Sequence, residues 1–217
     1  VFERAHGGSE VLALAVVAAP ALAGGGEDDE LVLVSGARDG TVTAWRADLH
    51  AEQLRKVNTI RVDGGVCSID IVRRGGDEAA AAAAAAHQGG GECCWVAVAT
   101  EARSVFRLPL LRRTSALGKC SVVVRNHSEK VRAVCVDPSG PRIVPVSDDG
   151  TVRIFSTLSM HMLCQAHVGR AAAAQYRRAG GTGGTLRGMG SSLGLTAVSA
   201  APDGAHLVVG SHAASVH

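Results

Sequence analysis

Short runs of alternating apolar residues, separated by Asp-Gly turns, recur along this chain. Residues 31–35 read Leu-Val-Leu-Val-Ser before the Asp-Gly pair at 39–40, and residues 143–147 read Ile-Val-Pro-Val-Ser before the pair at 149–150. In both places a second alternating segment follows the turn and ends in an aromatic residue. A strand, an Asp-Gly turn and a second strand are the pattern of a β-hairpin. Two copies of the same hairpin indicate a repeat protein.

Each hairpin has matching features on its amino-terminal side. His6 and His127 precede the two hairpins, and an alternating apolar segment follows each histidine, at 11–14 and at 131–136. The predicted unit is therefore a histidine, a strand, a strand ending in serine, an Asp-Gly turn and a strand ending in an aromatic residue.

Two weaker copies accompany the strong ones. Residues 201–212 match the middle of the unit, and a degenerate copy lies between the two hairpins. The strands of the degenerate copy are predicted at 65–72, 94–100, 104–108 and 120–124. Asp39 and Asp149 lie 110 residues apart, which exceeds two repeats of about 40–45 residues each, a length typical of repeats built from four strands. We therefore expect insertions within the repeats.

This order of features resembles the WD-repeat family of β-propellers, with Trp45 in the family's tryptophan position and Phe155 replacing it in the second copy. The resemblance implies an all-β fold in which each blade has four antiparallel strands. It also implies a buried hydrogen-bonded chain within a blade. The residues of these chains would be His6, Ser35, Asp39 and Trp45 in one blade, and His127, Ser147 and Asp149 in another. We expect His127 to lie near Ser147.

The repeat pattern also defines the domain organisation. We expect residues 1–217 to form a partial WD-repeat β-propeller of about four blades that belongs to a longer chain. Residues 75–92 contain a run of eight alanines, and residues 169–194 are rich in Ala, Gly and Arg. We interpret both segments as inserted low-complexity loops, because loop length adds little to the entropy of closure.

Charge and composition exclude several classes of function. The chain has 22 basic and 20 acidic residues and a net charge of +2. A nucleic-acid-binding module usually carries an excess of basic residues along one face. Residues 11–23 are apolar but shorter than the roughly 20 residues of a membrane-spanning helix. The six cysteines include no C-x-x-C pair, which favours a reducing, intracellular compartment. We therefore expect no nucleic-acid partner and no membrane association.

The sequence also shows no assembled catalytic or metal-binding set. Residues 190–194 fit the G-x-S-x-G pattern, but a hydrolase elbow needs a strand before it and a helix after it. Cys164 and His167 have a spacing that suits two metal ligands, yet no second pair accompanies them. We predict a protein that is not an enzyme and that holds no cofactor and no metal.

Three stretches have a narrower resemblance, to the echinoderm microtubule-associated protein-like family. They are residues 5–14, residues 33–40 and residues 193–217, the last with a Pro-Asp-Gly turn and the run Leu-Val-Val-Gly-Ser-His. The resemblance implies a non-catalytic scaffold that binds tubulin or microtubule-associated proteins as a component of a larger assembly. It places the protein in the cytoplasm and cytoskeleton, in the axoneme of a cilium or flagellum. The alternative is a generic WD-repeat adaptor in another intracellular complex, for ribosome assembly or intracellular transport.

Four arginines are the candidate partner-binding residues. They form two adjacent pairs, Arg73-Arg74 and Arg112-Arg113, in predicted loops. The tubulin surface is acidic, so cationic loops are suited to contact it. The competing interpretation is that these are ordinary solvated loop charges.

Overall fold

The computed structural model describes residues 6–18, 30–73, 92–111, 114–125, 127–137, 141–168, 194–201 and 206–211. The elements within this part of the chain are fourteen β-strands. They form three four-stranded antiparallel sheets, here called blades 1, 2 and 3, and one two-stranded sheet. The predicted all-β architecture of four-stranded antiparallel blades is confirmed.

The strands of each sheet are consecutive in the chain and lie side by side in that order. Blade 1 consists of β1 (Val11–Ala18), β2 (Glu30–Ala37), β3 (Thr41–Asp48) and β4 (Gln53–Arg61). Blade 2 consists of β5 (Val66–Arg73), β6 (Glu92–Thr100), β7 (Val105–Leu111) and β8 (Ser121–Val124). Blade 3 consists of β9 (Val131–Asp137), β10 (Arg142–Ser147), β11 (Thr151–Ser156) and β12 (Met162–His167). The two-stranded sheet pairs β13 (Leu195–Ala200) with β14 (Leu207–Ser211).

The turns between the second and third strands follow the predicted Asp-Gly chemistry in blades 1 and 3. Gly40 and Gly150 have φ angles of 82° and 74°, which lie in the left-handed region that glycine occupies at no steric cost. Blade 2 has no Asp-Gly pair, and Arg103 occupies the corresponding position with a φ of 62°. The degenerate copy therefore forms the same hairpin with a residue that is less suited to it.

The blades pack face to face through apolar side chains. One cluster joins blades 1 and 2, a second joins blades 2 and 3, and a third joins blade 3 to the two-stranded sheet. In β6, Val96 and Val98 belong to the first cluster, whereas Trp95 and Ala97 belong to the second. Alternate residues of a strand point to opposite faces, so β6 is buried on both sides. This explains why its sequence is a continuous apolar run.

The predicted insertions lie almost entirely outside the described residues. Glu92 begins β6, and Gly194 immediately precedes β13. The remainder, residues 75–91 and 169–193, is not described, so the interpretation of these segments as loops stays a prediction. Within the described ranges, no helix is long and apolar enough to cross a membrane.

Candidate functional site

A directional chain of hydrogen bonds runs through the interior of blade 1. The Trp45 indole N–H donates to Ser35 Oγ at 2.8 Å, and Ser35 Oγ lies 2.8 Å from His6 Nε2. His6 Nδ1 lies 2.6 Å from Thr41 Oγ1, and that hydroxyl donates to Asp39 at 2.6 Å. Since the Thr41 proton is directed at Asp39, His6 donates from Nδ1 and accepts from Ser35 at Nε2. The predicted connection is confirmed for the buried residues His6, Ser35 and Trp45. Thr41 is an additional member that links His6 to Asp39, and Asp39 itself is exposed rather than buried.

The residues predicted to form the chain of blade 3 are buried but connected differently. His127 Nδ1 lies 3.0 Å from Asp149 Oδ2 and 3.2 Å from Thr151 Oγ1. Ser147 Oγ instead donates to the Glu129 carbonyl at 3.1 Å and accepts the Asp149 N–H at 3.2 Å. His127 Nε2 is buried and has no hydrogen-bond partner among the described residues.

The expected association of His127 with Ser147 is therefore wrong, although all three predicted residues do lie in one blade with buried side chains. The physical reason is the position of the serine in the strand. Ser147 is equivalent to Ala37 of blade 1, since the carbonyl of each accepts the glycine N–H of its Asp-Gly turn. The equivalent of Ser35 is Pro145, which has no hydroxyl to offer the histidine.

The ionisable groups of both chains have shifted pKa values. Burial lowers the pKa of His6 and of His127 below the usual histidine value, although Asp39 and Asp149 oppose the shift. Burial would raise the pKa of Asp149, but hydrogen bonds from Thr151 and His127 outweigh it and lower the pKa to about 2. Both histidines are therefore neutral at pH 7, and the Asp149 carboxylate is ionised.

The Ser, His and Asp side chains of these chains do not form a nucleophilic site. Ser35 is 3% exposed and Ser147 is fully buried, so neither hydroxyl can reach a substrate. Ser35 donates to its histidine but is enclosed within the blade, and Ser147 is bonded elsewhere. Their chemistry is that of a polar network that stabilises blade geometry.

Polar side chains also join blades 2 and 3 at their first strands. Ser68 Oγ on β5 lies 3.3 Å from the Val134 N–H on β9, and Asp70 Oδ2 accepts the Val136 N–H at 2.7 Å. Strand β9 pairs with β10 on its other edge, so these side chains satisfy main-chain groups on its remaining edge. The sequence pattern did not predict this contact. An aspartate within an otherwise apolar strand was the only signal for it.

Ion pairs lie near the turns and link neighbouring segments. Lys130 Nζ lies 3.0 Å from Glu101, which joins blade 3 to the hairpin turn of blade 2. Arg132 lies 2.8 Å from Asp148 within blade 3. These pairs are partly exposed, and such pairs typically contribute about 0–1 kcal/mol each.

The predicted partner-binding arginines fall at the margin of the described chain. Arg73 is the last residue of β5, and Arg74, Arg112 and Arg113 lie outside the described residues. Strands β5 and β7 are each antiparallel to β6, so they run in the same direction and end at the same edge of blade 2. Arg74 follows β5 directly, and Arg112 follows β7 directly. The last residues of the two strands, Arg73 and Leu111, therefore lie at the same edge of blade 2.

The described residues contain no group of three or more His, Cys, Asp or Glu side chains that could hold a metal ion. The candidate Cys164 and His167 both lie on the exposed strand β12. The expectation of no metal and no cofactor stays a prediction for the whole chain.

The four-stranded antiparallel blades and the buried histidine network define a β-propeller scaffold. Residues 118–156 match the family model of the WD domain, G-beta repeat. That segment extends from β8 through β11 and contains His127, Ser147 and Asp149. The chain therefore contains a segment that matches a WD repeat.

Short stretches of the chain are also similar to named proteins of fungi. The chain is 40% identical over 50 residues to a ribosome biogenesis protein erb1 from Aspergillus niger, covering 23% of this chain and 6% of the relative. It is 44% identical over 41 residues to the ribosome biogenesis protein ERB1 of Saccharomyces cerevisiae, covering 19% of this chain and 5% of the relative. The chain thus spans only a small part of these relatives. They give no support to the narrower resemblance to the echinoderm microtubule-associated protein-like family.

Proposed function

We propose that this protein is a non-catalytic WD-repeat scaffold that holds protein partners within a ribosome-assembly complex. The observation that carries the proposal is the similarity of 41–50-residue stretches to ribosome biogenesis proteins. The internal use of the histidines supports the scaffold role, because their polar atoms serve blade geometry rather than a reaction. Scaffolds of this kind recognise partners through surface loops on a rigid frame.

The test of this proposal is sedimentation of the tagged full-length protein from cells of its source organism. We expect it to migrate with large precursor ribosomal particles in a sucrose gradient and to shift when RNA polymerase I is inhibited. A tagged WD-repeat protein of unrelated function is the control. Migration at the top of the gradient under both conditions would contradict the proposal.

A second candidate is a microtubule-binding scaffold in the cytoskeleton or axoneme. One observation favours it: the ends of β5 and β7, next to the two arginine pairs, lie at the same edge of blade 2. A cluster of Arg73, Arg74, Arg112 and Arg113 would present a concentrated positive charge to an acidic protein surface.

Pelleting of the full-length protein with microtubules at low salt separates the two candidates. If the second is correct, charge reversal at the four arginines weakens binding and lowers its dependence on salt, since exposed charges are screened by ions. The variant Arg55→Glu, Arg61→Glu on exposed positions of β4 is the matched control. Absence of pelleting by the unmodified protein would exclude this candidate.

A further inference from the structure

An open groove lies between the outer strands of blades 2 and 3. It has a volume of about 610 Å³ and is lined by residues 122–125 from blade 2 and by Phe155 with residues 160–162 from blade 3. This volume falls within the range of about 300–1,000 Å³ that ligand pockets typically have. We call it the interblade groove.

The wall formed by blade 2 includes the main chain of an edge strand. Val122 packs against the cluster that joins blades 1 and 2, whereas Val123 and Val124 pack against the one that joins blades 2 and 3. A cavity lined by all of residues 122–125 therefore runs along the strand itself. Strand β8 pairs with β7 on one side, and no described strand pairs with its other side. Unpaired N–H and C=O groups on such an edge are a template for an added strand.

The side chains of the groove combine apolar surface with positive charge. Met162 is 47% exposed, and Met160 is partly exposed. Methionine adapts its shape to different partners. Arg125 and His161 are exposed lining residues, and the lining contains no acidic side chain.

We propose that the interblade groove binds an extended peptide segment that carries apolar residues and at least one carboxylate. The main chain of the peptide would add to the free edge of β8, as in other cases of strand addition. Its apolar side chains would contact Met160 and Met162, and its carboxylate would pair with Arg125. The inference deepens the proposed scaffold role, because it names the chemistry of one partner.

The groove also adjoins the position where this repeat departs from blade 1. Phe155 lines it, whereas the larger Trp45 occupies the equivalent place in blade 1 and bonds to Ser35. A larger aromatic ring at position 155 would extend into the groove. This offers a variant that blocks binding without unfolding the protein.

The experiment is selection of a random dodecapeptide library, displayed on phage, against the full-length protein. Enriched peptides are then synthesised with a fluorescent label, and their binding is measured by polarisation. We expect the enriched sequences to contain apolar residues next to Asp or Glu. Absence of enrichment, or enrichment of basic peptides, would overturn the proposal.

Variants locate the binding site. Arg125→Glu should weaken binding about tenfold or more, which is the effect of losing a hydrogen bond between charged groups. Arg55→Glu, on the outer strand of blade 1, should leave the affinity unchanged. Phe155→Trp should weaken binding while the protein stays folded by circular dichroism. Equal affinity of all three variants would place the peptide elsewhere and overturn the assignment.

The result is separable from that of the proposed function. Loss of peptide binding by Arg125→Glu with normal sedimentation on precursor ribosomal particles would leave the scaffold role intact and place its other contacts outside the groove. Peptide binding by a protein that does not migrate with precursor ribosomal particles would support the groove proposal and exclude the ribosome-assembly proposal.

Discussion

At the scale of single residues, a proline in place of a serine separates the two polar chains. Trp45 donates to Ser35, and this leaves the serine proton for His6. Blade 3 has Pro145 at the position of Ser35, and His127 Nε2 remains without a partner among the described residues. A buried polar atom without a partner typically costs about 1–3 kcal/mol, so blade 3 contains a local defect that a single change can test.

Pro145→Ser should therefore stabilise the protein by about 1–2 kcal/mol. The new hydroxyl would lie in the position that Ser35 has in blade 1 and would donate to His127 Nε2. Urea unfolding measures the free energy of unfolding. Pro145→Ala adds no hydroxyl and is the control, and an equal gain there would show that the loss of proline alone is responsible.

Acid should destabilise the protein through Asp149. Its pKa is lowered to about 2 from a usual value of 3.8, so the stabilisation is complete above about pH 4 and is lost as the pH falls towards 2. The loss is about 2 kcal/mol, since one pKa unit corresponds to about 1.4 kcal/mol.

Comparing urea unfolding at pH 5 and pH 2.5 tests this linkage. Asp149→Asn should be less stable at pH 5 and should lose less on acidification than the unmodified protein. Asp63→Asn, at an exposed position, is the control and should behave like the unmodified protein. An unchanged acid dependence of Asp149→Asn would contradict the assignment.

At the scale of strands, the contact between β5 and β9 shows how neighbouring blades are held in register. Asp70 Oδ2 accepts the Val136 N–H, and Asp70 Oδ1 accepts the N–H of Ile71. At the equivalent interface between blades 1 and 2, the partly buried Ala13 and Ala15 of β1 pack against the apolar cluster instead. The first strands of blades 2 and 3 are therefore joined by polar contacts, whereas those of blades 1 and 2 are joined by packing. The polar contacts between blades 1 and 2 lie elsewhere, where Asn58 bonds to the main chain of Leu117.

Asp70→Ala should destabilise the protein by about 1–3 kcal/mol, because it leaves the Val136 N–H without its acceptor. Asp70→Asn keeps an acceptor oxygen, so it should lower the free energy of unfolding by less than Asp70→Ala does. Amide hydrogen exchange gives a specific readout, since Val136 should exchange faster in the alanine variant. Unchanged protection of Val136 in Asp70→Ala would show that this bond does not matter in solution.

At the scale of the whole molecule, the outer face of blade 1 is apolar and open among the described residues. Leu12, Leu14 and Val16 alternate along β1 and are 47%, 56% and 48% exposed. The opposite face of the same strand packs against the cluster that joins blades 1 and 2. A contiguous exposed apolar strip of this kind favours association with another apolar surface.

The double variant Leu12→Lys, Leu14→Lys should therefore reduce self-association of the 217-residue chain. Analytical ultracentrifugation over a range of concentrations measures the change. Leu49→Lys replaces a leucine that is 54% exposed outside this strip, and it should have no effect. Equal association of both variants would locate the interface on another surface.

The sequence by itself determined the strands, the hairpins and the identity of the polar chain in blade 1. These features depend on neighbours in the chain: alternation places apolar residues on one face, and Gly40 and Gly150 permit the left-handed turn. The tertiary structure decided the burial of β6 on both faces, the bond of Asp70 to Val136 and the groove beside Phe155. It also decided that Ser147 is bonded to Glu129 rather than to His127. The physical reason is that these contacts join groups distant in the chain, whose separations are set by how the blades pack together rather than by local sequence.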